Sequence, residues 1–568
     1  MLQTDLPRDW WASAVVYQIY PRSFADSDGD GVGDLRGIIC RLDHLQRLGV
    51  DVLWLSPVYR SPMDDNGYDI SDYQDVDPVF GTLADLDELI AAAHERGIRL
   101  LMDLVVNHTS DDHPWFVESR ASRQSDKRDW YVWRDEPNNW ESFFSGSPWE
   151  LDVATGQYYL HLFSRKQPDL NWENPRVREA VYAMMRWWLA RGVDGFRMDV
   201  INLISKVPGL PDGEQAPGEP FGNGFPLVAC GPRLEEFLQE MHREVFAEHP
   251  DAYLTVGEMP GVTVEQARSY TDPANAEVDM VFQFEHVDLD GGPGGKFDVQ
   301  PLDMARLRES LMRWQVGLAE TGWNSLYWDN HDQPRAVSRF GDDDPVWRER
   351  SAKTLATVLH LLRGTPYIYQ GEELGMTNSP FATIADFRDI ESLNYFEATQ
   401  HGHADPEALL EGLRYKGRDN ARTPMQWDDS PHAGFTTGTP WIEANPGYTE
   451  INAAAQVDDP TSVFAHYQRL IALRHADPIV AHGSIEPLAM DHPDLWAYSR
   501  SYDGAQLLVL ASFTRAPLRV PAELLDGWGG LEDLDPVLAT SAEALVRDPD
   551  GSATLAGWES VVLRREVR

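Results

Sequence analysis

The chain has 568 residues, 42% of them hydrophobic, and a formal charge of −44 from 48 basic and 92 acidic residues. A field of that sign repels phosphate backbones and anionic lipid, which argues against nucleic-acid and membrane-surface roles. The length exceeds what one small core needs and implies a large barrel or sandwich domain with smaller ones attached.

Taken in chain order, a unit recurs through the first two-thirds: a helix, a glycine, then a short buried strand with polar residues at its end. Leu35–Leu48 has helical spacing, stops at Gly49 and feeds a strand at 50–56. Leu83, Leu86, Ile90 and Ala93 mark the apolar face of a second helix. It opens at Thr82, ends at Gly97 and feeds a strand at 98–104. Asn174-Pro175 opens a third, with Asn at the cap and Pro at the first helical position; it ends at Gly192 and feeds 193–200. Glycine just past a helix is the expected stop signal. Further strands are predicted at 15–20, 253–256, 278–284, 324–327 and 365–369, which makes eight. Eight alternating strand and helix units predict a parallel (β/α)₈ barrel, over 1–106 and 174–484.

Between Asn107 and Asn174 the sequence shows no amphipathic helix but many aromatics, prolines and turn residues. This stretch, 107–173, is predicted to be a subdomain inserted after the third strand. Residues 381–447 also read as loop-rich. From 485 to 568 short alternating strands take over, at 495–499, 506–511, 518–520 and 560–563, predicting a C-terminal antiparallel β-sandwich. The N-terminal residues 1–11 have neither the basic nor the apolar region of a signal peptide, and no run reaches the length of a membrane span. Cys40 and Cys230 are the only cysteines. Two cannot make a disulfide framework, and their spacing to histidines fits no zinc site, so a reducing cytoplasm is the expected location. A monomer is the default expectation, with a dimer left open.

Active sites of such barrels lie at the C-terminal ends of the strands. Those ends are acidic here: Asp103 to Asn107-His108, Arg197-Met-Asp199-Val200, Gly257-Glu258, and Asp329-Asn330-His331-Asp332. A buried strand that ends in a carboxylate carries a desolvation cost. One such end could be a satisfied ion pair; three converging on one mouth point to chemistry. Glycoside hydrolysis needs two carboxyls flanking the scissile bond, and a third can stabilise the oxocarbenium-like centre. Arg197, two residues before Asp199 on the same strand face, is placed to keep it ionised. The 20 Trp and 20 Tyr suit either a packed core or stacking on pyranose faces.

Asp26-Ser-Asp28-Gly-Asp30-Gly31-Val32-Gly-Asp34 has the oxygen-ligand spacing that opens an EF-hand loop, with the Val32 carbonyl at position 7. Position 12 is Gly37, not a bidentate glutamate, so the loop is no calcium sensor. A structural Ca²⁺ or Mg²⁺ is expected there, against the competing reading of a metal-free acidic turn.

Several ordered segments resemble the signature regions of the α-amylase family of glycoside hydrolases, most closely its oligo-1,6-glucosidase subgroup. They are Trp10-Trp11 before Tyr17-Gln-Ile-Tyr-Pro-Arg-Ser-Phe24, Gln167-Pro-Asp-Leu-Asn171, Asn330-His-Asp-Gln-Pro-Arg335, Tyr369-Gln-Gly-Glu-Glu373 and Arg418-Asp-Asn-Ala-Arg422-Thr-Pro-Met-Gln-Trp427. The likeness covers nearly the whole chain. It implies Asp199 as nucleophile, Glu258 as acid and base, and Asp332 on the glucose 2- and 3-hydroxyls. It implies that His108, His331, Phe163 and Gln167 bind sugar and that Tyr68 stacks on the terminal glucose. Asp65 would hold the far hydroxyls, paired with Arg422, although Arg418 lies close in sequence. The implied activity is a retaining α-glucosidase acting on isomaltose and short isomalto-oligosaccharides, with a small oligosaccharide as its partner. In the resembling subgroup a valine at position 200 accompanies α-1,6 cleavage and an alanine α-1,4 cleavage.

Four other readings stand beside it. A maltase is the near rival. A sucrose isomerase would carry an arginine-rich segment where this chain reads Ser338-Arg-Phe-Gly-Asp342. A trehalose-phosphate hydrolase would need a basic phosphate pocket. A non-catalytic relative would lack the three acids and carry a membrane anchor.

Overall fold

The computed structural model describes residues 9–248, 253–400, 405–529, 534–542 and 544–566. The signal-peptide reading therefore falls largely outside the described residues. The eight barrel strands are β1 (Val16–Ile19), β2 (Val52–Leu55), β3 (Arg99–Val105), β4 (Gly195–Asp199), β5 (Leu254–Glu258), β6 (Met280–Phe282), β7 (Ser325–Leu326) and β8 (Thr365–Tyr369). Neighbours pair in parallel in the order β6-β5-β4-β3-β2-β1-β8-β7. A parallel bridge from Val281 to Asn324 joins β6 to β7, so the sheet closes.

The helices behind the strands start and stop where their caps dictate. Asp34 accepts the Gly37 N–H at 2.7 Å, and Gly49 takes φ 99° after Leu48. Thr82 and Asp85 form a reciprocal capping box. Asn174 caps Pro175–Arg191, which ends at Gly192 with φ 111°. A left-handed φ at Gly49 and Gly192 is what lets each chain turn directly into the next strand.

Two expectations change. The inserted segment contains a helix, Pro114–Ala121, beside a three-stranded antiparallel sheet of Trp133–Arg134, Gln157–Leu160 and Trp149–Asp152. It buries only Phe116 and Ser119, which is too narrow a stripe to show as periodicity. The stretch read as loop holds Ile390–Gln400 and Pro406–Lys416. The latter buries Gly412 and Lys416 beside Leu409 and Leu413, so its inward face does not look apolar in sequence.

After the barrel, a five-stranded antiparallel sheet built around Leu495–Tyr502, Ala505–Ser512 and Ser560–Glu566 packs on a three-stranded one of Leu518–Val520, Ala553–Leu555 and Leu545–Arg547. Leu508, Leu510, Val520, Leu555 and Val561 fill the space between them. Polar contacts dock this sandwich on the barrel. Arg308 donates to Leu495 O at 2.7 Å and to Met490 O at 2.6 Å, and Tyr498 Oη donates to Val358 O at 2.7 Å. Both cysteines are free, and no helix among the described residues is long and apolar enough to cross a membrane.

Arg308 is 2% exposed. Arg308→Met would leave the Leu495 carbonyl buried without a donor, at about 1–3 kcal/mol. The expected outcome is a lower melting temperature with unchanged initial rates at room temperature. An unchanged melting temperature would mean that the docking is held elsewhere.

Candidate active site

The strand ends deliver their side chains into one cavity of about 320 Å³, near the small end of the roughly 300–1,000 Å³ range of ligand pockets. Asp103 on β3, Arg197 and Asp199 on β4, and Glu258 on β5 meet at its wall because adjacent strands are in register, with Asp199 and Glu258 facing the cavity. Asp103 lies opposite Arg197, and Val105 opposite Asp199. Alternation along β4 puts Arg197 and Asp199 on the same face.

Arg197 is completely buried and touches three carboxyls. Nη1 lies 2.8 Å from Asp103 and 2.6 Å from Asp199; Nη2 lies 2.5 Å from Glu258. Asp103 also accepts the Trp54 indole N–H at 3.1 Å and the Tyr68 hydroxyl at 3.0 Å. Burial raises Asp199 and Glu258 to about 7 each, against the opposing pull of Arg197. Arg197 therefore does not make Asp199 an ordinary carboxylate, as its position in the sequence suggested. Three acids share one cation, and desolvation wins the remainder. Asp103 is raised as well, to about 6, so all three acids around the guanidinium hold their protons to higher pH than an ordinary carboxylate.

Asp332 behaves differently. Its side chain is 29% exposed and pairs with Arg422 at 2.8 Å and Arg418 at 3.3 Å. Burial opposes its charge, yet it is held well below the usual carboxylate range. The arginines carry that effect, because burial drives the neighbouring His331 to about 3 and leaves it neutral. Arg418 bridges to Asp65 at 3.1 Å and Asp389 at 2.5 Å. Asp65, buried, is raised to about 7 despite that contact. The arginine partner of Asp65 is thus Arg418, and Arg422 pairs with Asp332 and with Asp389 at 3.3 Å. The two arginines are four residues apart, one at the cap and one at the end of the short helix Asp419–Arg422, and only packing decides which faces which acid.

Asp65, Tyr68, His108, Phe163, Asp199, Val200, Glu258, Asp332 and Arg418 line the cavity. Arg197, Gln167, His331 and Arg422 do not; each is completely buried behind the wall. Gln167 donates to Asp65 at 3.2 Å. His331 has both nitrogens occupied, Nδ1 by Gln18 at 2.7 Å and Nε2 by the Tyr68 hydroxyl at 2.6 Å. Its ring stacks on Tyr68 with centroids 5.1 Å apart. These four orient the residues that face the cavity. Sequence reading missed the rim, which is Phe143, Phe144, Phe225, Phe284, Asp288, Lys296, Glu391 and Lys416. The two lysines are committed, Lys296 to Glu391 at 2.7 Å and Lys416 to Asp290. The aromatic excess was the one available signal for Phe143, Phe144, Phe225 and Phe284.

Away from this cavity, ligand atoms of Asp26, Asp28 and Asp34 lie within 4.8 Å of one another. Asp30 does not join them; it is exposed, and its carboxylate accepts the Val32 N–H at 2.8 Å. The loop is shaped by its own backbone, with Asp26 accepting the Gly29 and Gly31 N–H groups at 2.7 and 2.8 Å.

Known proteins match this arrangement along its whole length. The family described as "Alpha amylase, catalytic domain" matches residues 18–483. An oligo-1,6-glucosidase of Parageobacillus thermoglucosidasius is 58% identical over 92% of this chain and 93% of its own. A trehalose-6-phosphate hydrolase of Bacillus subtilis is 50% identical over 98% of each chain. Among solved structures, the isomaltulose synthase of Klebsiella sp. LX3 superposes with a TM-score of 0.92 at 41% identity, over 99% of this chain and 100% of that one.

Proposed function

Because the chain belongs to the α-amylase family and is a glycoside hydrolase, we propose that it releases terminal α-1,6-linked glucose, with retention, from isomaltose and short isomalto-oligosaccharides. The observation that carries this reading is the Arg197 fork, which touches both Asp199 and Glu258 and so holds the two carboxyls within reach of one guanidinium at the cavity wall. Close carboxyls suit direct attack on the sugar rather than a water held between them.

In this mechanism the Asp199 carboxylate attacks C1 of the terminal glucose. The C1–O bond breaks, and the Glu258 proton goes to the departing O6. The Glu258 carboxylate then takes a proton from water, whose oxygen attacks C1 and displaces Asp199. Asp332, ionised at all working pH values by Arg418 and Arg422, holds the ring hydroxyls and favours the positive charge at C1. The Asp65–Arg418 pair closes the far end, which limits cleavage to one glucose at a time.

The relatives' other activities fit this cavity less well. Six acidic residues line it against three basic ones, Lys296, Lys416 and Arg418, and each base is paired with a carboxylate. A phosphorylated sugar would meet a net negative field there. Arg339, in the segment where an isomerase would present arginines, is buried against Asp290 and donates to it at 2.9 Å. Free Cys40 and Cys230 suit a reducing compartment.

For linkage choice, Val200 lines the cavity beside Asp199. An α-1,4 link joins two rings through one oxygen and keeps the second ring near the strand end. An α-1,6 link adds a methylene and lets that ring swing away from a rigid branched side chain. For the metal, the carboxylate oxygens of Asp26, Asp28 and Asp34 are the hard donors that Ca²⁺ or Mg²⁺ prefers. A cation there would tie the loop to the segment around Thr436, whose hydroxyl donates to Asp26.

Asp199→Asn should lower turnover at least ~10³-fold, in line with the loss of a covalent nucleophile. In the wild type, NMR should find α-glucose first, and β-glucose first would exclude retention. Isomaltose should exceed maltose in kcat/KM, and Val200→Ala should narrow the ratio by roughly 10-fold or more through gained maltose cleavage. A wild type that prefers maltose, or turns over trehalose 6-phosphate better than isomaltose, would reassign the substrate. Chelator should lower the melting temperature more than the initial rate, and calcium should restore it; melting unaffected by excess chelator would remove the metal.

A further inference from the structure

Val200 is the residue through which β4 turns into the helical turn Ile201–Leu203. Its φ of 35° and ψ of 40° lie in the left-handed region, which a β-branched residue rarely enters. The conformation is imposed from outside. The side chain is buried and packs with Trp140, Trp149, Leu203 and Val228. Strain of this kind persists only where the surroundings over-determine it, and it clusters at functional sites.

The turn has a direct consequence at the neighbouring strand. It aims the Val200 N–H at Glu258 Oε2, 3.0 Å away. The other oxygen, Oε1, lies 2.5 Å from Arg197 Nη2. Oε1 is thus paired with the buried cation and Oε2 with a neutral amide, so the proton is carried at least cost on Oε2. The contact to the neutral amide is the weaker of the two. Oε2 is then the oxygen that carries the proton, and its contact to the N–H strengthens as the proton leaves and the oxygen becomes charged.

We propose that the Val200 backbone amide is a positioning group for the acid: it receives the Glu258 carboxylate as the proton passes to the leaving oxygen. The proposal rests on Glu258 being the acid and adds a role that the Val200 side chain does not have. A preorganised N–H aimed at a charge that develops during the reaction favours the transition state over the ground state. No reorganisation is needed at that moment, because packing already holds the turn. The charged and titratable groups that also face Glu258 are Asp103 on β3, Arg197 and Asp199 on β4, and Tyr327 and Asp332 beyond β7. Among the contacts of Glu258, the amide alone is a neutral donor.

The test removes only the N–H, by replacing Val200 with its α-hydroxy analogue so that an ester stands for the amide. Two substrates are compared, isomaltose, with a poor leaving group, and 2,4-dinitrophenyl α-glucoside, which departs without a proton. Loss of one hydrogen bond to the developing carboxylate should lower kcat/KM on isomaltose roughly 10-fold and on the activated glucoside by no more than about 2-fold. The N–H favours the ionised acid, so without it the alkaline limb on isomaltose should move up by about half a unit or more. Equal losses on both substrates, or an unmoved limb, would overturn the proposal. Val200→Gly keeps the N–H and enters the left-handed region freely, so its alkaline limb should match the wild type. A shift in that variant as large as the one expected for the ester would assign the effect to the side chain instead. Failure of the wild type to cleave isomaltose would count against the linkage reading, and the comparison would then use methyl α-glucoside as the poor leaving group.

Discussion

Arg197 brings one positive charge into a barrel end that holds three carboxyls. Its guanidinium is completely buried and reaches Asp103, Asp199 and Glu258 together. A lone ammonium could not do this, because only a planar fork presents several donors in fixed directions. Removing one member of such a buried cluster typically costs about 3–5 kcal/mol, since the others are left with an uncompensated charge. The positions of β3, β4 and β5 relative to one another are thus tied to the chemistry at their ends. With only one cation among them, burial raises Asp199 and Glu258 to about 7, the range in which a group can both give up and take back a proton near neutrality.

The opposite end of the cavity is built from the reverse balance. Arg418 and Arg422 supply two cations to Asp65, Asp332 and Asp389. Asp332 is held well below the usual carboxylate range there, while burial raises Asp65 to about 7. Neighbouring carboxyls in one small cavity thus differ in charge state according to how many arginines each can reach. Behind them, Gln167, His331 and Arg422 spend their polar groups on protein partners. The residues that face the cavity are held by others that do not.

The barrel was legible before any coordinates because its signals are local. Helix caps at Asp34, Thr82 and Asn174, stops at Gly49 and Gly192, and apolar strands between them each depend on a few adjacent residues. The helix Pro114–Ala121 and the pair in 381–447 were not legible, because what covers them is distant in sequence. Pro406–Lys416 can bury Lys416 only because Asp290 waits for it. The acids at the strand ends were legible for the same reason as the strands. The rim was not: Phe143, Phe225 and Lys296 come from three separate excursions that meet only when the chain is folded.

By itself, then, the sequence determined the barrel, the inserted segment, the terminal sandwich fold and the three acids at the mouth. Each is written in a short stretch, as an alternation, a cap or a strand-end carboxyl. Only the tertiary structure decided that Arg418 rather than Arg422 meets Asp65, and that Asp30 stands apart from Asp26, Asp28 and Asp34. It alone set Val200 in a left-handed turn with its N–H on Glu258. Partners like these are chosen by differences of a few ångströms among groups of the same charge. Sequence spacing carries no information at that scale, and packing does.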